Sequence, residues 1–218
     1  MHNCLAKLQE IFQEIYSKDY SQNKSVKIIA VSKTFNMDKI LPLIDGGHIH
    51  FGENKVQETQ DKWPNILSKN NNIKLHMIGK LQTNKVKQAV KLFDYIHSVD
   101  SLKLAKKIDL EQKKINKNIK LFIQVNIDNE IQKSGILLNE LENFHNELVN
   151  KMKMNVVGLM CIPSINSNKE ITYEKMKKNN IKLGLSELSM GMSSDYQEAI
   201  KCGSTFLRIG SKIFGDRI

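Results

Sequence analysis

The sequence is organised around residues 26–35, which read Val26-Lys27-Ile28-Ile29-Ala30-Val31-Ser32-Lys33-Thr34-Phe35. Aliphatic and β-branched side chains fill most of this run, which is typical of a strand buried on both faces of a parallel sheet. A parallel strand places its last side chains at the C-terminal rim, where α/β proteins bind ligands, so Lys33 is predicted to face a ligand site. A partly desolvated lysine suits Schiff-base chemistry, although a solvated lysine that simply ends a strand gives the same pattern.

Seven further apolar runs follow this strand, and helical patterns alternate with them. The predicted strands are residues 26–35, 48–52, 73–78, 94–99, 120–127, 155–162, 187–190 and 204–209. The predicted helices are residues 1–20, 37–45, 53–63, 84–92, 137–149 and 193–201, one that begins after residue 100, and a weakly periodic one within 164–186. The expected caps are Gly46-Gly47 after the second helix, Thr83 before residues 84–92, and Asp100 or Ser101 before the next helix.

This alternation predicts an α/β fold, a single (β/α)8 TIM barrel with an extra N-terminal helix. A doubly wound open sheet is the alternative, but the even spacing and small loops favour the barrel. The length of 218 residues suits one sizeable domain, so we expect residues 1–218 to form a single domain.

The composition is that of an ordinary globular protein, with 40% hydrophobic and 26% charged residues. No apolar run approaches the ~20 residues of a membrane span, and the first residues lack the charged-then-apolar layout of a signal peptide. Cys4, Cys161 and Cys202 show neither metal nor disulfide spacing, which fits a reducing compartment. We therefore expect a cytoplasmic monomer without membrane contact.

The formal net charge of +10 raises the hypothesis of nucleic-acid binding. Lysines are spread along the predicted helix faces, however, and aromatic residues make up only 6%, so no basic stacking platform is present. Arginine occurs only at Arg208 and Arg217. Where nearly every cation is a lysine, an arginine indicates a need for its planar, permanently charged fork. We expect no specific nucleic-acid binding, and Arg208 becomes a candidate site residue.

Two loops after the last strands carry glycines and hydroxyl groups. They read Ser189-Met190-Gly191-Met192-Ser193 and Arg208-Ile209-Gly210-Ser211. In barrels these loops frequently bind a phosphate group through backbone N–H groups and helix N-termini. Turn glycines and capping serines explain either loop alone equally well, but two such loops side by side favour a phosphate site.

A phosphate site at strands 7 and 8 and a lysine at the end of strand 1 together suit a phosphorylated aldehyde held as a Schiff base. Pyridoxal 5'-phosphate (PLP) is such a cofactor, and its ring nitrogen needs a carboxylate or an arginine as partner. Strands 1 and 8 are neighbours in a closed barrel, so Arg208 is positioned for this role. Since an arginine retains its proton, it would keep the ring nitrogen unprotonated and weaken the ring as an electron sink.

Several stretches in order along the chain resemble the pyridoxal phosphate homeostasis protein family, whose barrel is similar to the N-terminal domain of alanine racemase. The matching stretches are residues 30–34 (AVSKT), 51–54 (FGEN), 76–85 (HMIGKLQTNK), 133–135 (KSG), 158–160 (GLM), 188–193 (LSMGMS), 208–210 (RIG) and 213–215 (IFG). The sequence departs from the family at Lys55, where an aromatic residue is frequent, and at Ser211, where threonine is frequent. The segment between Pro163 and Ser189 is also short against the family.

The resemblance implies that Lys33 carries PLP, that Asn54 lies near the cofactor, and that Arg208 faces the pyridine nitrogen. It also implies phosphate contacts from Ser189, Ser193, Gly210 and Ser211. The full set of expected cofactor contacts is Lys33, Asn54, Met77, Ser189, Gly191, Ser193, Arg208, Gly210 and Ser211.

Other chemistry-bearing residues are weaker candidates. His76 and His97 lie within strand patterns without metal-ligand spacing and are interpreted as core or rim residues. Glu53 is equally consistent with an acid–base group and with a first-turn helix charge. Cys161 is interpreted as a small apolar filler. Lys133 is interpreted as a surface charge rather than a second amine at the mouth.

Three functions remain: a PLP carrier, a PLP-dependent amino-acid racemase, and a nucleic-acid-binding barrel. Racemisation needs acid–base groups on both faces of the substrate carbon, and alanine racemase-like enzymes bring a tyrosine from a second domain. The sequence ends at Ile218, just past the eighth strand, and its tyrosines match no such motif. We therefore expect a PLP-binding protein that buffers or delivers the cofactor to apo-enzymes, without catalytic residues or robust turnover. A racemase of low activity is the alternative.

Overall fold

Eight parallel strands close into a barrel in sequence order, with β1 pairing both β2 and β8. The computed structural model describes residues 3–17, 26–130 and 132–216. The strands are β1 (Lys27–Val31), β2 (His50–Glu53), β3 (Lys74–Met77), β4 (Tyr95–Val99), β5 (Lys120–Gln124), β6 (Val156–Met160), β7 (Glu187–Met192) and β8 (Phe206–Ile209). The predicted (β/α)8 TIM barrel is therefore confirmed, and the open sheet is excluded.

Helices separate the strands and surround the barrel. They are α1 (Asn3–Ser17), α2 (Met37–Asp45), α3 (Val56–Lys62), α4 (Pro64–Leu67), α5 (Val86–Leu92), α6 (Leu102–Lys114), α7 (Leu141–Asn146), α8 (Lys169–Lys182), α9 (Tyr196–Lys201) and α10 (Ser211–Phe214). The extra N-terminal helix is α1, although the predicted end of this helix at residue 20 and the second arginine, Arg217, lie outside the described residues. No helix in the described ranges is long and apolar enough to cross a membrane.

Helix boundaries follow the local signals in most places. Helix α2 has the predicted bounds and ends at Gly46-Gly47, where Gly47 adopts a φ of +84°. Ser101 caps α6 by accepting a hydrogen bond from the Leu104 backbone N–H. The expected cap at Thr83 is wrong, because Thr83 begins a 3-10 turn that precedes α5.

The strands separate two apolar regions. The larger region fills the space between sheet and helices and includes Trp63, Leu75 and Met77. The smaller region consists of strand residues that fill the barrel, Ile29, Tyr95, Phe122, Met160 and Phe206. Because successive strand side chains point to opposite faces, β1, β4, β5, β6 and β8 contribute apolar residues to both regions. Polar side chains that lie inside the barrel are therefore surrounded by aromatic rings rather than water.

Candidate cofactor site at the mouth of the barrel

A cavity of about 970 Å³ opens at the C-terminal ends of the strands. Half-buried Lys33 lies on its wall just after β1, Asn54 follows β2, and Gly79 follows β3. Arg208 of β8 and Gly210 in the loop after β8 line the cavity on the other flank of β1, since β8 pairs with β1. The barrel thus brings together at one mouth five residues that are far apart in the sequence.

The charged side chains of the cavity wall are mostly cationic. Lys33, Lys80, Lys133 and Arg208 contribute positive charge, and Asp216 contributes the one carboxylate among the described residues that line the cavity. Such an excess of positive charge favours an anionic ligand, since the walls of a cleft focus the field of like charges.

The backbone on both sides of Lys33 is held by a single ammonium group. Lys62 of α3 donates hydrogen bonds from Nζ to the carbonyl oxygens of Ser32, at 3.0 Å, and Phe35, at 3.3 Å. These two carbonyls bracket the turn that carries Lys33. The position of the Lys33 side chain at the mouth is thus fixed through its main chain by a neighbouring helix.

Thr34, directly after Lys33, has a φ of +67°. A β-branched residue is rarely found in this left-handed region, so the turn is strained. The Thr34 backbone N–H donates to Glu58 Oε1 at 2.6 Å, and Glu58 also accepts from Lys62 Nζ at 3.0 Å. Helix α3 therefore supplies the contacts that hold this strained turn.

Glu53, at the end of β2, is buried beneath the same turn. Its Oε1 accepts from Lys62 Nζ and Ser32 Oγ, each at 2.7 Å, and from Trp63 Nε1 at 2.9 Å. Burial raises the pKa of this carboxyl, because desolvation outweighs the attraction of Lys62 and the donated hydrogen bonds. Glu53 is not on the cavity wall, which argues against an acid–base role, and it belongs to β2, so it is not a first-turn helix charge. Its contacts are those of a structural anchor for the Lys33 turn.

Asn54 presents a polar group to the cavity. It lines the cavity, and its Oδ1 is buried without a hydrogen-bond partner among the described residues. Buried amide groups normally have partners, so this side chain fits a polar ligand atom. Gly79 makes the arrangement possible: a Cβ there would lie 2.5 Å from the Asn54 carbonyl oxygen and 2.8 Å from its Cα. Only glycine allows the loop after β3 to approach Asn54 so closely.

The loops after β7 and β8 meet at Ser193. Its Oγ accepts from the backbone N–H groups of Gly210, at 3.2 Å, and Lys212, at 3.4 Å. Ser193, Gly210 and Ser211 line the cavity together. Backbone N–H groups that converge on one oxygen at the start of α10 are the arrangement expected for a phosphate site.

Asp195 shapes the loop that presents Ser193. Its carboxylate accepts from the Met192 backbone N–H at 2.6 Å and from the buried Tyr173 hydroxyl at 2.9 Å. Burial, reinforced by Asp195, raises the pKa of Tyr173, so this hydroxyl remains a donor.

Gly191 has a φ of +88°, and a Cβ at this position would lie 2.5 Å from the Ala199 Cβ. The tight turn from β7 into α9 therefore requires glycine.

Arg208 is almost completely buried and reaches the cavity from β8. Its Nη1 donates to the carbonyl oxygen and to the hydroxyl of Ser189, each at 2.7 Å, and Nη2 donates to the Cys161 carbonyl at 2.9 Å. Burial lowers the pKa of Arg208, while the nearby Cys161, Tyr173 and Asp195 oppose that shift. Because an arginine starts far above neutrality, the guanidinium remains charged.

A line of histidines continues inward from this arginine. Ser189 Oγ lies 2.8 Å from His97 Nδ1, His97 Nε2 lies 3.0 Å from His76 Nδ1, and His76 Nε2 lies 2.9 Å from His50 Nδ1. Both histidines are buried, as the interpretation of His76 and His97 as core residues requires. That interpretation did not include the hydrogen bonds that link them to Ser189 and Arg208. The alternation of side chains along β2, β3 and β4 is the signal that could have found them.

Three expected cofactor contacts are not on the cavity wall. Met77 packs in the region between sheet and helices, because its neighbour His76 takes the inward position of β3. Ser189 points into the barrel, where Arg208 and His97 occupy its hydroxyl, and Gly191 acts as a turn glycine. By contrast Lys133, expected on the surface, lines the cavity and is ion-paired with Glu130.

The barrel with this site belongs to the alanine racemase N-terminal domain class, since the family model with that description matches residues 7–218. The pyridoxal phosphate homeostasis protein of Haemophilus influenzae is 37% identical over 227 residues, covering 99% of this chain and 95% of the relative. That of Pasteurella multocida is 34% identical, covering 98% and 96%. The chain belongs to the pyridoxal phosphate homeostasis protein family.

A solved structure is also similar to this chain over nearly its full length. PipY of Synechococcus elongatus PCC7942, determined with PLP bound, aligns with a TM-score of 0.83 and 31% identity, covering 97% of this chain and 100% of that one. The predicted family is therefore confirmed by the matched domain, by curated relatives and by fold.

Proposed function

We propose that this chain binds PLP at the mouth of the barrel and acts in PLP homeostasis by storing the cofactor rather than by catalysis. The observation that carries the proposal is that Lys33, Arg208 and the Ser193–Gly210 anion site line one positively charged cavity. The names of the relatives and the PLP-bound PipY structure support the same assignment.

Lys33 would attach the cofactor. Its amine would add to the aldehyde of PLP, a C=N bond would form, and one water molecule would leave. The turn held by Lys62 would keep the amine at the mouth while the ring enters the cavity. The Asn54 carboxamide, whose oxygen is buried without a partner among the described residues, would hydrogen-bond to a polar substituent of the ring.

The phosphate would bind between the loops after β7 and β8. Ser193 Oγ already accepts two backbone N–H groups, and the hydroxyl of Ser211 lies on the same wall. A phosphate oxygen that displaces or joins the Ser193 hydroxyl would be held by charge-assisted hydrogen bonds. Gly191 and Asp195 would act indirectly, by shaping the loop.

Arg208 would face the pyridine nitrogen. When bound, PLP supplies an electron sink whose strength depends on protonation of that nitrogen. A buried guanidinium does not give up its proton, so the nitrogen would remain unprotonated and the sink weak. The described tyrosines also lie away from the cavity wall: Tyr16 is exposed on α1, and Tyr95, Tyr173 and Tyr196 are buried in the fold. Both features favour holding the cofactor over turning over amino acids.

The test combines binding with turnover. PLP titrated into the protein should give a visible absorbance band that saturates at one equivalent, whereas Lys33→Ala should give none and retain the wild-type circular dichroism spectrum. Solvent deuterium incorporation into L- and D-alanine should stay far below the ~10 per second of a typical enzyme. Deuterium incorporation at enzymatic rates would overturn the proposed storage of PLP and favour a racemase.

A further inference from the structure

The histidines inside the barrel join the cofactor mouth to the opposite face of the molecule. The hydrogen bonds connect Arg208, Ser189, His97, His76 and His50 in that order, at 2.7, 2.8, 3.0 and 2.9 Å. His76 and His97 are completely buried, whereas half-buried His50 lies at the start of β2, on the N-terminal face of the barrel. We call these five residues the interior chain.

The direction of every hydrogen bond in the interior chain follows from its first member. An arginine has only donors, so Ser189 Oγ must accept from it. Among the described residues Ser189 Oγ has two hydrogen-bond partners, Arg208 and His97 Nδ1, and since Arg208 cannot accept, the hydroxyl hydrogen goes to His97 Nδ1. His97 with an acceptor at Nδ1 carries its hydrogen on Nε2 and donates to His76 Nδ1. By the same step His76 donates from Nε2 to His50 Nδ1.

This assignment requires three neutral rings, and the surroundings favour neutral rings. Desolvation by burial is the main cause that lowers the pKa of His76 and His97 well below 6.5. His76 stacks on Tyr95 at 4.3 Å between ring centroids, and His97 stacks on Phe122 at 4.2 Å, so water has little access to either ring.

The groups around His50 act in the same direction. Its pKa is lowered to about 4, first by burial and then by His48, Lys27, Lys74 and Lys120. These groups come from three different strands and the segment before β2, and Glu187 of β7 is paired with Lys27 at 3.3 Å. The ring of Tyr95 and the ring of Phe206 complete the surroundings.

We propose that His50, His76 and His97 are positioning residues that, through Ser189, fix the orientation of Arg208 at the cofactor site, and that the protonation state of His50 reaches the cofactor through them. The second part rests on the proposed function, because it takes Arg208 as the partner of the PLP ring nitrogen. The interior chain itself does not depend on PLP.

Protonation of His50 shows how the coupling would act. A protonated ring has hydrogens on both nitrogens, so His50 Nδ1 could no longer accept from His76. His76 and His97 would have to move their hydrogens to Nδ1, and His97 would then donate to Ser189 Oγ. The Ser189 hydroxyl hydrogen would be left between two donors without an acceptor, which loosens its contact with Arg208.

The first experiment uses the wild-type protein without cofactor. Nitrogen-15 NMR of the histidine rings at pH 7 should show His50, His76 and His97 neutral, each with the hydrogen on Nε2. His145, on α7 outside the interior chain, serves as the control for a ring in rapid exchange between forms. An Nδ1–H form at His76 or His97, or a charged ring at either position, would overturn the proposed direction.

The second experiment measures the coupling to the cofactor site. His97→Leu removes both the acceptor and the donor, whereas His97→Gln retains one of each. His97→Leu should weaken PLP binding at least tenfold and shift the pH midpoint of the bound-PLP absorbance change by one unit or more, and His97→Gln should stay within threefold of the wild type. Equal behaviour of the two variants would overturn the coupling.

The two experiments separate the possible failures. If no variant and no wild-type sample binds PLP, the proposed function fails, while the NMR result still decides the interior chain. If His97→Leu does not fold, Ser189→Ala interrupts the same chain at its polar end and should give the same loss of PLP affinity. Unchanged affinity in Ser189→Ala would then overturn the coupling.

Discussion

Lys62 shows how one side chain of the supporting helix can control the position of the candidate PLP lysine. Its Nζ contacts two carbonyl oxygens of the Lys33 turn and two carboxylates, Glu53 and Glu58. The strained backbone of Thr34 lies within the same turn, at a φ of +67°. Strain of this kind persists only where the surroundings hold it in place, and α3 supplies the necessary contacts.

We expect Lys62→Met to lower the free energy of unfolding by about 3 kcal/mol, because it leaves the buried Glu53 carboxylate without its cation. Adding Glu53→Gln should recover part of the loss, since the two residues are coupled. Lys113→Met is the matched control, because Lys113 pairs with Asp109 on the surface with 67% of its side chain exposed, and its effect should be within ~0.5 kcal/mol. Urea unfolding measures all four proteins. A loss in Lys62→Met as small as the control would contradict this account.

At the scale of elements, the spacing of strands and helices predicted the barrel well, because each strand is a short apolar run bounded by polar or glycine-rich turns. The sequence does not show which side chains of each strand point into the barrel and which point toward the helices. Both faces of a barrel strand are buried, so apolar character does not tell the interior from the helix side. Met77 and Ser189 are among the predicted cofactor contacts, whereas Met77 packs against helices and Ser189 points into the barrel. The histidine contacts join three strands that are far apart in the sequence, so only the alternation of side chains within each strand could have indicated them.

The close approach of the loops after β3 and β2 gives a prediction at this scale. Gly79→Ala should push Asn54 away from its position, since the new Cβ would lie 2.5 Å from the Asn54 carbonyl oxygen. We expect PLP affinity to fall about tenfold or more, which corresponds to ~1.4 kcal/mol, as measured by absorbance titration.

Gly46→Ala is the control for this prediction. Its Cβ would also meet a neighbour at 2.5 Å, but that neighbour is the flexible end of the Leu5 side chain on α1, away from the cavity. PLP affinity in this variant should equal that of the wild type. An equal loss in both variants would indicate a general effect of barrel stability, not a local effect at Asn54.

For the whole molecule, four histidines with a lowered pKa predict how stability depends on pH. The pKa of His48 and of His50 is lowered to about 4, and those of His76 and His97 lie well below 6.5. The unfolded chain therefore binds more protons than the folded one as the pH falls below 6.5, and each neutral histidine then costs about 1.4 kcal/mol per pH unit. The raised pKa of Glu53 acts in the opposite sense, since its folded form binds its proton more readily.

We expect the free energy of unfolding to fall steadily between pH 6.5 and 4.5, and His48→Asn to reduce the slope. Urea unfolding at half-unit pH steps measures both proteins. Because the variant keeps every acidic group, the difference in slope between the two proteins reports the contribution of His48 alone. A stability that is constant or rises on acidification in this range would contradict the assignment of these four histidines as neutral in the folded protein.

The most direct test of PLP binding on Lys33 is reductive trapping followed by peptide mass spectrometry. PLP is mixed with the wild-type protein and with Lys80→Ala and Lys133→Ala, which lose the other lysines of the cavity wall, and borohydride then fixes any C=N bond as a stable secondary amine. We expect one pyridoxyl group per chain, located on Lys33 in all three proteins and absent from Lys33→Ala. A pyridoxyl group found mainly on Lys80, Lys133 or any other lysine would contradict it.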